Sequence, residues 1–141
     1  MTNACVLRGC LLLAQSPSLA VDAFEDALRR LAGQGRAHLG LALAHRALGR
    51  TDDAARELER LNAAIDWLTA SGRLSEAALV RAAYLVVHDQ EVEAAAALEE
   101  ALVAAPPGPF GWSILVEPFL AGAVRAPSFA RVRAILAERA S

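Results

Sequence analysis

With 141 residues, 55% of them hydrophobic and 21% charged, the chain is long enough for one domain with its own core and too apolar for a disordered segment. A formal net charge of −2 excludes a global basic field of the kind that draws a protein onto nucleic acid or an anionic membrane. Aromatics make up only 5% and alanine dominates, which favours helices packed closely through small side chains. All 14 basic residues are arginine, which points to a GC-rich bacterial genome more than to a function.

Sustained apolar/polar alternation is absent, so the predicted elements are helices. The first covers about residues 3–15. Its opening, MTNACVLRGCLLLAQ, makes a poor signal peptide: Arg8 interrupts the apolar run, and LRGC lacks the small residue a lipoprotein site needs before Gly9. Cys5 and Cys10 point about 140° apart on a helix and read as small core residues. A reducing, cytoplasmic location is therefore expected. Ser16 caps a second helix over about 17–32, with Pro17 in its first turn, and GQGR breaks it. A third spans about 36–48 and stops at Gly49. Thr51 is a candidate cap for a fourth, over 51–70, with Asp52 and Asp53 complementing its dipole. A fifth covers 74–88, HDQE turns the chain, and a sixth covers 91–104. PPGPFG at 106–111 is the clearest break; one or two short helices and a last helix over 127–139 follow. No run reaches the roughly 18 apolar residues that spanning a bilayer requires. Loops this short make consecutive helices antiparallel neighbours.

The stretch LGRTDDAARELERL at 48–61 recurs in outline. Gly49, Ala54, Leu58 and Leu61 have counterparts in Gln15, Ala20, Phe24, Ala27 and Leu28, and again in Asp89, Ala94, Leu98, Ala101 and Leu102. The alanine lets two helix backbones approach, and the large residue a turn later fills the space beyond it. On AFEDAL (23–28), ALGRTDDA (47–54) and AAALEEALVAAPP (95–107), the region 3–106 resembles the tetratricopeptide repeat family, whose unit is a 34-residue helical hairpin. Ala20 and Ala54 are 34 apart; Ala54 and Ala94 are 40 apart. The usual first-helix aromatic is missing, and SGRLSEA at 71–77 also matches a turn-to-helix junction, which leaves the phase of the middle helices open. Residues 107–141 resemble the tails that close bacterial arrays of this family, through Glu117-Pro118 and Pro127-Ser128-Phe129. The resemblance implies an all-α, right-handed array of about three antiparallel hairpins over 1–106, closed by a capping helix in 107–141 that forms one structural domain with it. Trp112, Phe119 and Phe129 are the expected plugs of its apolar end, and Trp67 a packing residue.

No catalytic, metal or cofactor constellation stands out. His38 and His45 share a helix face, but two turns hold them about 10.5 Å apart, so surface or groove positions are expected. His88, Asp52-Asp53 and Glu91-x-Glu93 fit helix-end roles. GQG at 33–35 has neither the strand nor the lysine of a phosphate loop. Arg131, Arg133 and Arg139 read as a solvated face, with no nucleic-acid partner expected.

The expected function is thus a non-enzymatic protein-interaction scaffold or adaptor without a cofactor. The alternative is a regulatory or sensor domain of a larger bacterial transcription or signalling protein. In the resemblance's phase, the first helix of each hairpin lines a concave groove. Thr2, Cys5, Gly9 and Leu12 fall there in the first unit, Arg36, Leu39, Leu43 and Arg46 in the second, and Glu76, Leu79, Ala83 and Val86 in the third. The lysines and asparagines of the family's carboxylate clamp are missing from these positions. An apolar strip edged by Arg36 and Arg46 suits a peptide or amphipathic helix with an acidic residue. The protein's own tail, or a second copy in a homodimer, is the competing occupant.

Overall fold

The computed structural model describes the backbone of residues 2–30, 35–106, 108 and 110–140, and within these all side chains except those of residues 2–7, 14, 30, 112, 116 and 140. Every regular element among the described residues is helical. The α-helices are α1 (Thr2–Gln15), α2 (Pro17–Arg30), α3 (Gly35–Ala47), α4 (Thr51–Ala70), α5 (Leu74–Val87), α6 (Glu91–Ala104), α7 (Phe110–Val116) and α8 (Ala130–Ala140). Single 3-10 turns at Pro118–Leu120, Ala123–Arg125 and Pro127–Phe129 link α7 to α8. Bounds of the first six match expectation to within a residue, except the end expected at 32, which lies outside the described residues. The last helix differs. Its first turn, from Pro127, is 3-10, with the Ala130 N–H bonded back to the Pro127 carbonyl, and α geometry begins only at Ala130.

Three chain reversals share one build. Gly49 and Gly72 have φ of +77° and Asp89 has φ of +60°. The N–H of the next residue closes each helix from five residues on: Arg50 to the His45 carbonyl at 2.8 Å, Arg73 to Leu68 at 2.9 Å, Gln90 to Leu85 at 2.8 Å. That same residue starts the next helix, its carbonyl accepting from Ala54, Ala77 and Ala94 in turn, each at 3.0 Å. Ser16 and Ala20 repeat this start at 3.0 Å without the left-handed residue. All four alanines are buried. Thr51 is accordingly the first residue of α4, and Arg50 holds the cap position. Gly72 is a second turn glycine, and SGRLSEA forms a junction of the same kind as the other two.

The residues divide into two compact units, Met1–Trp67 and Leu68–Ser141. In the first, α2 packs on α1 and α3. Ala20, Ala23, Phe24 and Ala27, spaced i, i+3, i+4, i+7, form its buried stripe. The Phe24 ring lies where side chains of two glycines would be: a Cβ on Gly9 would stand 2.7 Å from its Cε1 and Cζ, and a Cβ on Gly40 would overlap the same ring more severely. Burying this ring completely is worth roughly 1.5–3 kcal/mol, and it depends on both glycines.

In the second unit, α5, α6 and the tail share one core. Leu98 and Leu102 of α6 meet Ile114, Leu120, Phe129 and Val132, all fully buried. Of the expected plugs, Phe129 is in this cluster, Phe119 is half-buried, and the Trp112 side chain lies outside the described ones. Buried Glu117 caps the turn at Pro118, accepting from the Phe119 N–H at 3.4 Å. Arg131 pairs with Glu99 at 3.1 Å. Arg133 Nη1 donates to the carbonyls of Val124 at 2.8 Å and Ala126 at 2.7 Å, so both of these arginines tie the tail in place.

Candidate partner-binding surface

The strip expected to meet a partner is only partly accessible. On α3, Arg46 is exposed and Arg36 and Leu43 are half-buried, whereas Leu39 has no exposed surface. On α5, Ala83 is fully buried, and Leu79 and Val86 pack as half-buried residues against the core that includes the tail. Leu39 and Ala83 are therefore core residues. Neither can touch a partner while the helices around it stay packed. On α1, Gly9 is buried against Phe24 and Leu12 is half-buried, while the side chains of Thr2 and Cys5 lie outside the described ones. Cys10 is half-buried.

Two cavities open on the second unit. One of about 300 Å³ lies between the first turns of α5 and the start of α7, with Leu79 and Phe110 as its apolar walls and Ser75, Glu76 and Ser113 at its polar edge. Glu76 is held by Arg73, whose Nη2 is 2.6 Å from its carboxylate. The other, of about 440 Å³, is a trough between α5 and α6 floored largely by alanines, with Arg81 and Glu100 in its lining. Both cavities share Ser75, Ala105 and Pro106.

The histidines are used structurally. The His38 Nδ1–H donates to Glu57 Oε2 at 2.7 Å, with the two side chains only 11% and 9% exposed. The other carboxylate oxygen of Glu57 accepts from Arg60 Nη1 at 2.8 Å. His38 is thus a helix–helix tie between α3 and α4, not the surface or groove residue expected. His45 is buried, and its Nδ1 has no hydrogen-bond partner among the described residues. The His88 Nδ1–H donates to the Tyr84 carbonyl at 2.8 Å, which satisfies an orphan acceptor in the last turn of α5, as its place in the sequence suggested. Asp52, Asp53, Glu91 and Glu93 occupy first turns, again as expected. Trp67 departs from expectation: it is 60% exposed on α4. Among the described residues no three His, Cys, Asp or Glu side chains gather at metal-binding distance, and no helix is long and apolar enough to cross a membrane.

No family model, curated protein or solved structure matches the chain.

The sequence reading missed the α5/α6 trough and the His38–Glu57 tie. The small residues flooring the trough were visible, but an alanine stripe reads equally as a helix contact. Glu57 sits at the spacing of an inward position, three residues after Ala54 and four before Leu61, and that was the available signal.

Proposed function

We propose that the chain is a non-enzymatic protein-interaction module of tetratricopeptide-like build, with the α1/α2, α3/α4 and α5/α6 hairpins as a right-handed array closed by the tail. The observation that carries this reading is the repeated junction. Left-handed reversals at Gly49, Gly72 and Asp89 each lead, after a cap residue and one helical turn, to a buried alanine. A recurring unit reuses one turn geometry and one close-contact residue: Gly49 and Asp89 turn the chain within the α3/α4 and α5/α6 hairpins, Gly72 leads from α4 into α5, and the α1/α2 turn repeats the buried alanine without the left-handed residue.

The partner surface in this reading is what remains accessible of the strip on α3: Arg36, Leu43 and Arg46. Its occupant is a peptide or amphipathic helix carrying an acidic residue for the arginines. The test is affinity capture from the native cells with the intact protein, repeated with Arg46→Glu and Leu43→Glu. Circular dichroism shows which variants stay folded, and Arg46→Glu, at an exposed position, is the fold-safe control. A captured protein lost with Arg46→Glu and with a folded leucine variant supports the reading. A chain that captures nothing, or whose captured proteins survive every substitution, overturns it.

A further inference from the structure

We propose that the α5/α6 trough is the interface through which two copies of this chain associate. The trough is apolar at its base, where Ala78, Ala97, Ala101 and Ala104 leave room for side chains from outside. Leu74 at its edge is 61% exposed. A large apolar side chain that projects beside an alanine-lined hollow supplies the knob and the hole of a helix–helix contact.

The charges in the lining select the occupant. Arg81 on α5 and Glu100 on α6 line the same trough, yet neither forms an ion pair or hydrogen bond among the described residues. One unpaired cation and one unpaired anion on opposite walls form a self-complementary set. In a two-fold interface, a contact from residue i to residue j is accompanied by the contact from j to i. A two-fold axis through the trough lays α5 of one copy over α6 of the other, so Arg81 meets the partner's Glu100 twice. A foreign partner would have to bring a matched pair of its own; the chain already carries one. The knob doubles in the same way, Leu74 of each copy entering the hollow of the other. Together they form the apolar centre of a patch that, in a stable dimer, buries about 800 Å² on each side. The trough shares no residue with Arg36, Leu43 and Arg46 of α3, so partner capture and self-association can fail independently.

The experiment is molar mass by light scattering over a wide concentration range, with the dissociation constant from sedimentation equilibrium. It compares the wild-type chain with Arg81→Glu, Glu100→Arg and the double reversal. Both positions are exposed, so the variants retain the wild-type helical spectrum. The expected result is a concentration-dependent dimer. Each single reversal places two pairs of like charges in contact and weakens it roughly tenfold, and the double reversal restores it. A chain that is monomeric at every concentration overturns the proposal. So does a dimer indifferent to the single reversals, which would assign association to another surface, or one that the double reversal fails to restore.

Discussion

Gly40→Ala isolates the packing of Phe24. On an exposed helix face this substitution stabilises by about 1 kcal/mol, because alanine is the better helix former. Here the added Cβ would fall inside the van der Waals surface of three atoms of the Phe24 ring. That ring is fully buried and also abuts Gly9, where an added Cβ would stand 2.7 Å from it, so retreat in that direction meets α1. Overpacking of this kind costs typically 1–3 kcal/mol. Because the overlap involves a clamped ring and not the end of a flexible chain, the upper half of that range applies. The expected net loss is about 1–2 kcal/mol, or a fall in melting temperature of roughly 2–8 °C for a chain of this size. Thermal and urea unfolding of Gly40→Ala, Phe24→Leu and the double variant form a cycle. Phe24→Leu shortens the obstructing group, so the double variant should be more stable than the sum of the single effects by about 1 kcal/mol or more. A Gly40→Ala chain that melts above wild type, or an additive cycle, would refute the placement of the ring between the two glycines.

The left-handed turns predict opposite signs for similar substitutions. Gly49→Ala and Gly72→Ala should each destabilise by about 1–2 kcal/mol, and Asp89→Gly should stabilise by up to about 1 kcal/mol, as read by urea titration. Glu57→Ala leaves the part-buried His38 without its acceptor and should cost about 1–3 kcal/mol, whereas the exposed neighbour substitution Glu59→Ala should change the midpoint little. Phe129→Ala should cost about 3–5 kcal/mol by opening a cavity against Leu98 and Leu102. Truncation after Pro107 should expose the same surface, read as binding of a hydrophobic dye and loss of a cooperative melt; a truncated chain that melts cooperatively would show the tail to be a separate element.

The local grammar of this protein was legible in its sequence. Helix starts and stops follow from groups that act within a turn or two: Ser16 before Pro17, the glycine at 49, the prolines near 106, the acidic residues at 52 and 53. The buried stripe of α2 was legible for the same reason, since its 3.6-residue period is a property of one helix alone. What each face meets is a different kind of fact. Periodicity shows that Leu39 and Ala83 share faces with Leu43 and Leu79, but only the packed helices and tail decide that the first two are core. Gly9 and Gly40 lie far apart from Phe24 in the chain and meet it only because α1, α2 and α3 converge there. The His38–Glu57 bond spans 19 residues between two helices, and no local pattern specifies such a partner. Chain breaks and helical period are short-range, so the sequence alone determined them; which apolar face remains open, and which charge finds a mate, are set by contacts that exist only once the chain has closed on itself.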